Sequence, residues 1–298
     1  GRPHGHRYLR GCVPCAGPLA CYLILILVAV VIILPILNLI AVSVSDQAPV
    51  ISGKVKFWPI GFQLEAYRYV IGSKQFFSSL SVSLFVTLVG STLAVICSVL
   101  VAYPLSKQNI PGRKALLLIF LFTMMFNGGI IPSYLLIMQL NMINSVWSLI
   151  LPQLVNVYNL LIVKNYMEAL PESLMEAAKI DGASQMRILR SVVLPMAKPV
   201  LATVFMFFVV TYWNSYFDAK MYITERDLMP IQQYLQTVIF EAQSPAGDYA
   251  LSSTESMNTA SKSIINATVV CAMIPMMILY PALQKFFAKG ATVGAVKG

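Results

Sequence analysis

The chain has 298 residues, of which 58% are hydrophobic and only 11% charged, with a mean hydropathy of +0.74. A soluble domain carries about a quarter charged residues, so the composition excludes a soluble enzyme and predicts an integral membrane protein. The net charge of +9 forms no basic stripe interleaved with aromatics, which excludes a nucleic-acid-binding surface; cations gathered at the cytoplasmic ends of membrane spans account for it.

Residues 1–18 read as a tail rich in Gly and Arg, with His4, His6 and a lone Cys12-x-x-Cys15 pair. One such pair without a second is a weak metal or redox signal, and no metal site is expected. The uncharged run over 19–44 is long enough to cross a bilayer, which takes about 20 residues. It is too long for a signal peptide, and Pro35 is expected to kink it. Residues 45–75 form a polar loop with Trp58, Tyr67 and Tyr69, and a short surface helix is expected over Gln63–Val70. A second span covers 76–105. Between Ala115 and Val163 there is no charge; the polar break Gln139–Asn144 divides this stretch into spans over 115–138 and 145–167. Gly128, Gly129 and Pro132 predict a bend in the first of these.

Residues 171–198 are charged, compact and ordered by pattern. Pro171 suits a first helical turn, and Glu172 and Glu176 suit the positive end of the helix dipole. Gly182 suits a stop. Ser184 suits the cap of a second helix carrying Met186, Ile188, Leu189, Val192 and Val193. The expected product is a helix–turn–helix outside the membrane that docks another protein; the blander alternative is a solvated connector. A fifth span over 199–217, a polar loop over 218–262, a sixth span over 263–287 and a tail over 289–298 complete the chain. The transmembrane domain is thus 19–288, all-α, with six spans and both termini on one side. Fourteen of the 21 Lys and Arg fall on the side of the termini and the 171–198 loop, which marks that side as cytoplasmic.

Glu176-Ala177-Ala178, three residues, Gly182, nine residues, then Val192-x-Leu194-Pro195 resembles the cytoplasmic loop of ABC importer permeases named after its Glu-Ala-Ala. Val192 stands where Ile is commoner. The extended run Glu176–Ser184 is similar to that of carbohydrate importers. Phe126–Pro132 with Tyr134, Trp213-Asn214-x-Tyr216-Phe217, and the Gly290–Gly298 tail look like the second permease of oligosaccharide importers of the maltose and the aldouronate or alginate type. The resemblance implies a type I importer fold in a bacterial inner membrane. It implies a second homologous permease, two cytoplasmic ATPase subunits that carry the ATP and Mg, and an extracytoplasmic binding protein. It implies coupling to the ATPase through Glu176, Ala177, Ala178, Asp181, Gly182, Leu194 and Pro195, and through Val296, Lys297 and Gly298 of the tail. The substrate so implied is an oligosaccharide, of acidic uronate type in the most similar subgroup. This chain would be a pore subunit and no enzyme, with no cofactor of its own.

A sugar path needs hydrogen-bonding groups and aromatic faces. Asn127, Asn156, Tyr158, Asn159, Tyr212, Trp213, Asn214 and Tyr216 are the candidates; amides that glue helices together and interfacial aromatics are the competing explanation. Asp218, Lys220, Glu225, Arg226 and Asp227 follow span five as a gate or a binding-protein contact. An embedded enzyme would need a metal box or a nucleophile with its base, and none is visible. An ion-coupled carrier is the remaining alternative; the absence of a carboxylate within the spans weighs against a proton-driven one.

Overall fold

The computed structural model describes residues 16–126, 128–243 and 262–294. Asn127, Val296, Lys297 and Gly298 lie outside the described residues, as do Cys12 and Cys15. The described residues are helical, with one isolated antiparallel bridge from Ser45 to Phe62. In chain order the helices are α1 (Ala16–Ser43), α2 (Gln47–Ile51), α3 (Glu65–Gly72), α4 (Lys74–Ser106), α5 (Arg113–Met125), α6 (Ile130–Gln139), α7 (Trp147–Ile150), α8 (Val157–Glu168), α9 (Glu172–Ile180), α10 (Gln185–Ile188), α11 (Leu194–Trp213), α12 (Tyr216–Tyr222), α13 (Ile231–Gln243) and α14 (Lys262–Gly294). Four helices are long and apolar enough to cross a membrane, or up to six if each of two bent pairs is one span. α5 and α6 are set at 111°, and the helix over Trp147–Gln153 meets α8 at 48°.

The chain divides into two compact units, one of Gly1–Tyr67 with Ser261–Val270 and one of Arg68–Ala260 with Cys271–Gly298. In the first, the loop after α1 folds back on that helix's end. Ser45 Oγ donates to the Ala41 carbonyl at 2.6 Å and accepts from the Ile60 amide at 3.0 Å. Ala41, Val42, Val50 and Val55 close a small core beneath it.

The second unit is built on α4. Its buried face is small and hydroxylic, with Ser79, Ser83, Thr87, Gly90, Ser91, Ala94, Ser98 and Ala102. Small residues let helix backbones approach closely, and α11 and α8 pack against this face. α11 answers with Ala197, Val200, Val204, Phe208 and Tyr212, a three-and-four spacing that puts them on one stripe. A Cβ on Gly90 would lie 2.9 Å from the Tyr212 ring. The hydroxyls of Thr87, Ser91 and Ser98 are buried without a hydrogen-bond partner, so shape and dispersion hold this seam.

The second helix of the 171–198 loop and the fifth span are one continuous rod, Gln185–Trp213, whereas the sequence suggested a separate hairpin ending at Pro195. The join is a π-helical turn over Leu189–Val193, closed by the Leu194 amide on the Leu189 carbonyl. Proline cannot donate and its ring crowds the preceding turn. Pro195 sits in the first turn of α11, directly after a widened turn of the kind that absorbs such an irregularity without breaking the helix.

Candidate functional site

α9 and α10 form the hairpin of the 171–198 loop. Pro171 precedes α9, and Glu172 opens its first turn. The helix ends with the Gly182 amide on the Lys179 carbonyl and the Ala183 amide on the Ala178 carbonyl, both at 3.0 Å. Gly182 has φ +75°, the left-handed conformation that this pair of bonds requires. Ser184 Oγ accepts from the Arg187 amide at 3.4 Å and caps α10. Local chemistry therefore fixes the turn.

Only Met175 of α9 is buried, with Ala178 half-buried against the core. Glu176, Ala177, Asp181, Gly182 and Pro195 are exposed, and Leu194 is half-buried. Ile180 is 87% exposed, and Leu174 and Met186 of the same hairpin are exposed too. Exposed aliphatics beside carboxylates on a fixed turn make a contact surface. The motif reading missed these three residues; an Ile directly before Asp-Gly, at the end of a helix with one buried position, was the available signal.

Beneath α9 lies a cavity of about 570 Å³ lined by Tyr103, Lys107, Glu172, Met175, Glu176 and Lys179 among others. Lys107 Nζ lies 3.0 Å from Met175 Sδ and 4.9 Å from the centroid of the Tyr103 ring. Burial, and then the Lys179 charge, push the Lys107 ammonium below its ordinary range, with Glu172 opposing. Tyr103 Oη donates to Gln185 Oε1 at 3.0 Å, tying the end of α4 to α10. At the same end Arg113 pairs with Glu168 at 2.6 Å, and Lys164 pairs with the other oxygen of Glu168.

The other end of α4 carries a different set of contacts. Gln75 Nε2 donates to the Arg226 carbonyl, Ser78 Oγ to the Asp227 carbonyl, and Ser83 Oγ accepts from the Ile231 amide. Along α4 these contacts lie about 30 to 40 Å from the Tyr103 tie to the hairpin. Asn144, with φ +56°, joins this region by accepting from the Thr224 amide at 2.7 Å and donating its own amide to the Tyr222 carbonyl at 2.9 Å.

Two cavities flank the start of α8. One, of about 810 Å³, is lined by Asn156, Tyr158, Asn159, Phe207, Thr211 and Tyr280 among others. The other, of about 650 Å³, lies between the α5–α6 bend, the start of α8 and α12, and shares Asn156 and Tyr158. Three of the suggested path residues are thus brought together. Asn156 also caps α8, its Oδ1 accepting from the Asn159 amide at 3.1 Å. Tyr212, Trp213, Asn214 and Tyr216 line neither cavity. Tyr212 and Trp213 are buried; the Tyr212 hydroxyl donates to the Ile150 carbonyl at 3.0 Å, so this side chain is a core tie. Asn214 Nδ2 donates to the Val210 carbonyl of its own helix at 2.9 Å.

The family described as binding-protein-dependent transport system inner membrane component matches residues 94–293. This chain belongs to that family. The permease is 39% identical over 277 residues to the polygalacturonan/rhamnogalacturonan transport system permease protein YtcP of Bacillus subtilis (strain 168), covering 93% of this chain and 96% of that one. It is 38% identical over 274 residues to protein LplC of the same organism, covering 91% of each. A chain in the crystal structure of a bacterial ABC transporter involved in the import of the acidic polysaccharide alginate superposes with a TM-score of 0.83 at 30% identity, covering 96% of this permease and 100% of that chain.

Membership makes the protein a multi-pass component of the inner membrane and a subunit of an ATP-driven importer. Such permeases are not catalytic, and ATP hydrolysis resides on separate subunits. The ion-coupled alternative is thereby set aside.

Proposed function

We propose that this permease is one of two homologous pore subunits of an importer for acidic, uronate-containing oligosaccharides, supplied by an extracytoplasmic binding protein. Two cytoplasmic ATPase subunits holding ATP and Mg complete it. The hairpin end of α4 faces the cytoplasm, as do both termini, in keeping with the cations gathered there: Lys107, Arg113, Lys114, Lys164, Lys179, Arg187 and Arg190. Glu176, Ala177, Ala178, Ile180, Asp181 and Gly182 seat in the ATPase. Leu194 and Pro195 continue the hairpin into α11, and the tail residues Val296, Lys297 and Gly298 make a second contact with the ATPase. The observation that carries the reading is α9 itself, a short helix fixed by its turn yet leaving Ile180 and Glu176 outside the core. The relatives that handle polygalacturonan, rhamnogalacturonan and alginate support the substrate class. Asn156, Tyr158 and Asn159 border the sugar path, and Asn127 is assigned to it with them.

The test is ATPase activity of the full complex in nanodiscs with binding protein and uronate oligomers. Wild type is expected to respond to loaded binding protein, and Glu176→Lys and Ile180→Asp to lose that response or release the ATPase subunits. Variants that match wild type, with no ATPase copurifying, would overturn the docking role. A response to neutral oligomers alone would overturn the substrate class.

A further inference from the structure

The 650 Å³ cavity falls within the roughly 300–1,000 Å³ range of small-ligand pockets. Its polar wall is made by Thr123, Ser133, Gln153, Asn156, Asp218 and Tyr222. Two interruptions in the chain create it, the bend between α5 and α6 and the break before α8; broken helices that line a cavity are where membrane proteins place polar ligands. Asp218 is the charged residue of the lining, and no Lys or Arg is among the lining residues. Lys220, on the same helix, is exposed and does not line the cavity. Gln153 Nε2 donates to Asp218 Oδ2 at 3.3 Å, which orients the carboxylate from across the break. The charge is felt inside: burial first, and Asp218 second, hold the Tyr222 hydroxyl above its ordinary range.

A carboxylate is an acceptor only. Paired sugar hydroxyls are donors well suited to it, and such charge-assisted bonds are the strong ones. A uronate carboxylate brought to the same wall would meet a like charge with no cation to offset it.

We propose that this cavity is a sugar subsite on this permease in which Asp218, steadied by Gln153, accepts hydrogen bonds from the hydroxyl edge of the oligosaccharide and turns uronate carboxylates away from this wall. The inference rests on the oligosaccharide reading above and adds a rule of orientation: the acidic groups of the substrate face elsewhere in the pore. Asn156 and Tyr158, shared with the 810 Å³ cavity, give the chain a polar step onward.

The test measures binding of a trigalacturonide and of its methyl ester to the whole permease–ATPase complex in nanodiscs, without binding protein, for wild type, Asp218→Asn, Asp218→Glu and Gln153→Ala. Wild type is expected to favour the ester. Asp218→Asn keeps the shape and removes the charge, so it should raise the acid-to-ester affinity ratio roughly tenfold, the scale of one screened like-charge contact. Asp218→Glu should hold the wild-type ratio, and Gln153→Ala should weaken both ligands together. A ratio unmoved in Asp218→Asn, a wild-type preference for the acid, or no binding of either trimer would overturn the subsite. ATPase stimulation by loaded binding protein, run in parallel, separates the two readings. Stimulation without the ratio change sinks only the subsite, and its absence with every oligosaccharide sinks the substrate reading beneath it.

Discussion

At the scale of single residues, the contact of Gly90 with Tyr212 decides what Tyr212 does. In sequence, Tyr212 and Trp213 look like a stacking platform for sugar, because aromatics at the end of an apolar run have that chemistry. The structure turns both into the core, and the reason lies on another helix. Only a residue without a Cβ at position 90 leaves room for the ring, and a glycine over 100 residues upstream gives no local hint of its partner. Gly90→Ala therefore sets two effects against each other. Alanine is the better helix former by about 1 kcal/mol, yet its Cβ would stand 2.9 Å from the ring, and overpacking a fitted core costs about 1–3 kcal/mol. The ring is anchored through its hydroxyl on Ile150, so it cannot swing aside, and the clash should win. The thermal midpoint of the detergent-solubilised protein is expected to fall in Gly90→Ala. A rise, as at an exposed helical glycine, would refute the account.

At the scale of elements, the α9–α10 hairpin was legible because its rules are local. Proline before α9, Glu in its first turn, Gly in the left-handed position and Ser at the next cap each act within a few residues; the last three are where the pattern put them, and Pro171 falls one position earlier, at the N-cap. The π turn was not legible. It has no residue signature of its own, and the sequence divides loop from span at 198, where the chain instead widens one turn and continues as one helix. That join sets the angular position of the hairpin on α11. Deleting Ser191 should remove the extra residue, so that the Leu194 amide closes on the Leu189 carbonyl as an ordinary α-helical turn and the angle at which the hairpin leaves the rod changes. The expected phenotype is an assembled permease whose ATP hydrolysis no longer tracks transport. It is read as the ratio of phosphate released to sugar accumulated in proteoliposomes; an unchanged ratio would mean that the register of the join does not matter.

At the scale of the whole molecule, apolar runs and their Gly and Pro interruptions were enough to foresee an all-helical membrane protein and the bend between α5 and α6, since bilayer length and backbone satisfaction leave little else; the break before α8 was not foreseen. What composition could not supply was the meeting of the bends. Gln153 and Asp218 are 65 positions apart, and only the packed chain brings them to one cavity. The packing also sorts stability along the molecule. α4, α8 and α11 share the main core, while α9 is held by Met175 and Ala178. Hydrogen exchange is expected to be slowest in the first three and fastest in α9, with α9 slowing when the ATPase subunits bind; an α9 as protected as α11 in the isolated subunit would contradict this. The continuous rod from Gln185 to Trp213 has 29 residues, about 43 Å of helix, and the close fit of Tyr212 on Gly90 lies next to its far end. In mechanical terms it is a crank with its axle near one tip. A sideways push of about 3 Å at the hairpin end turns such an arm by only about 4° over that length and leaves Trp213 almost still, so a stroke entering there is spent on the hairpin half of the rod.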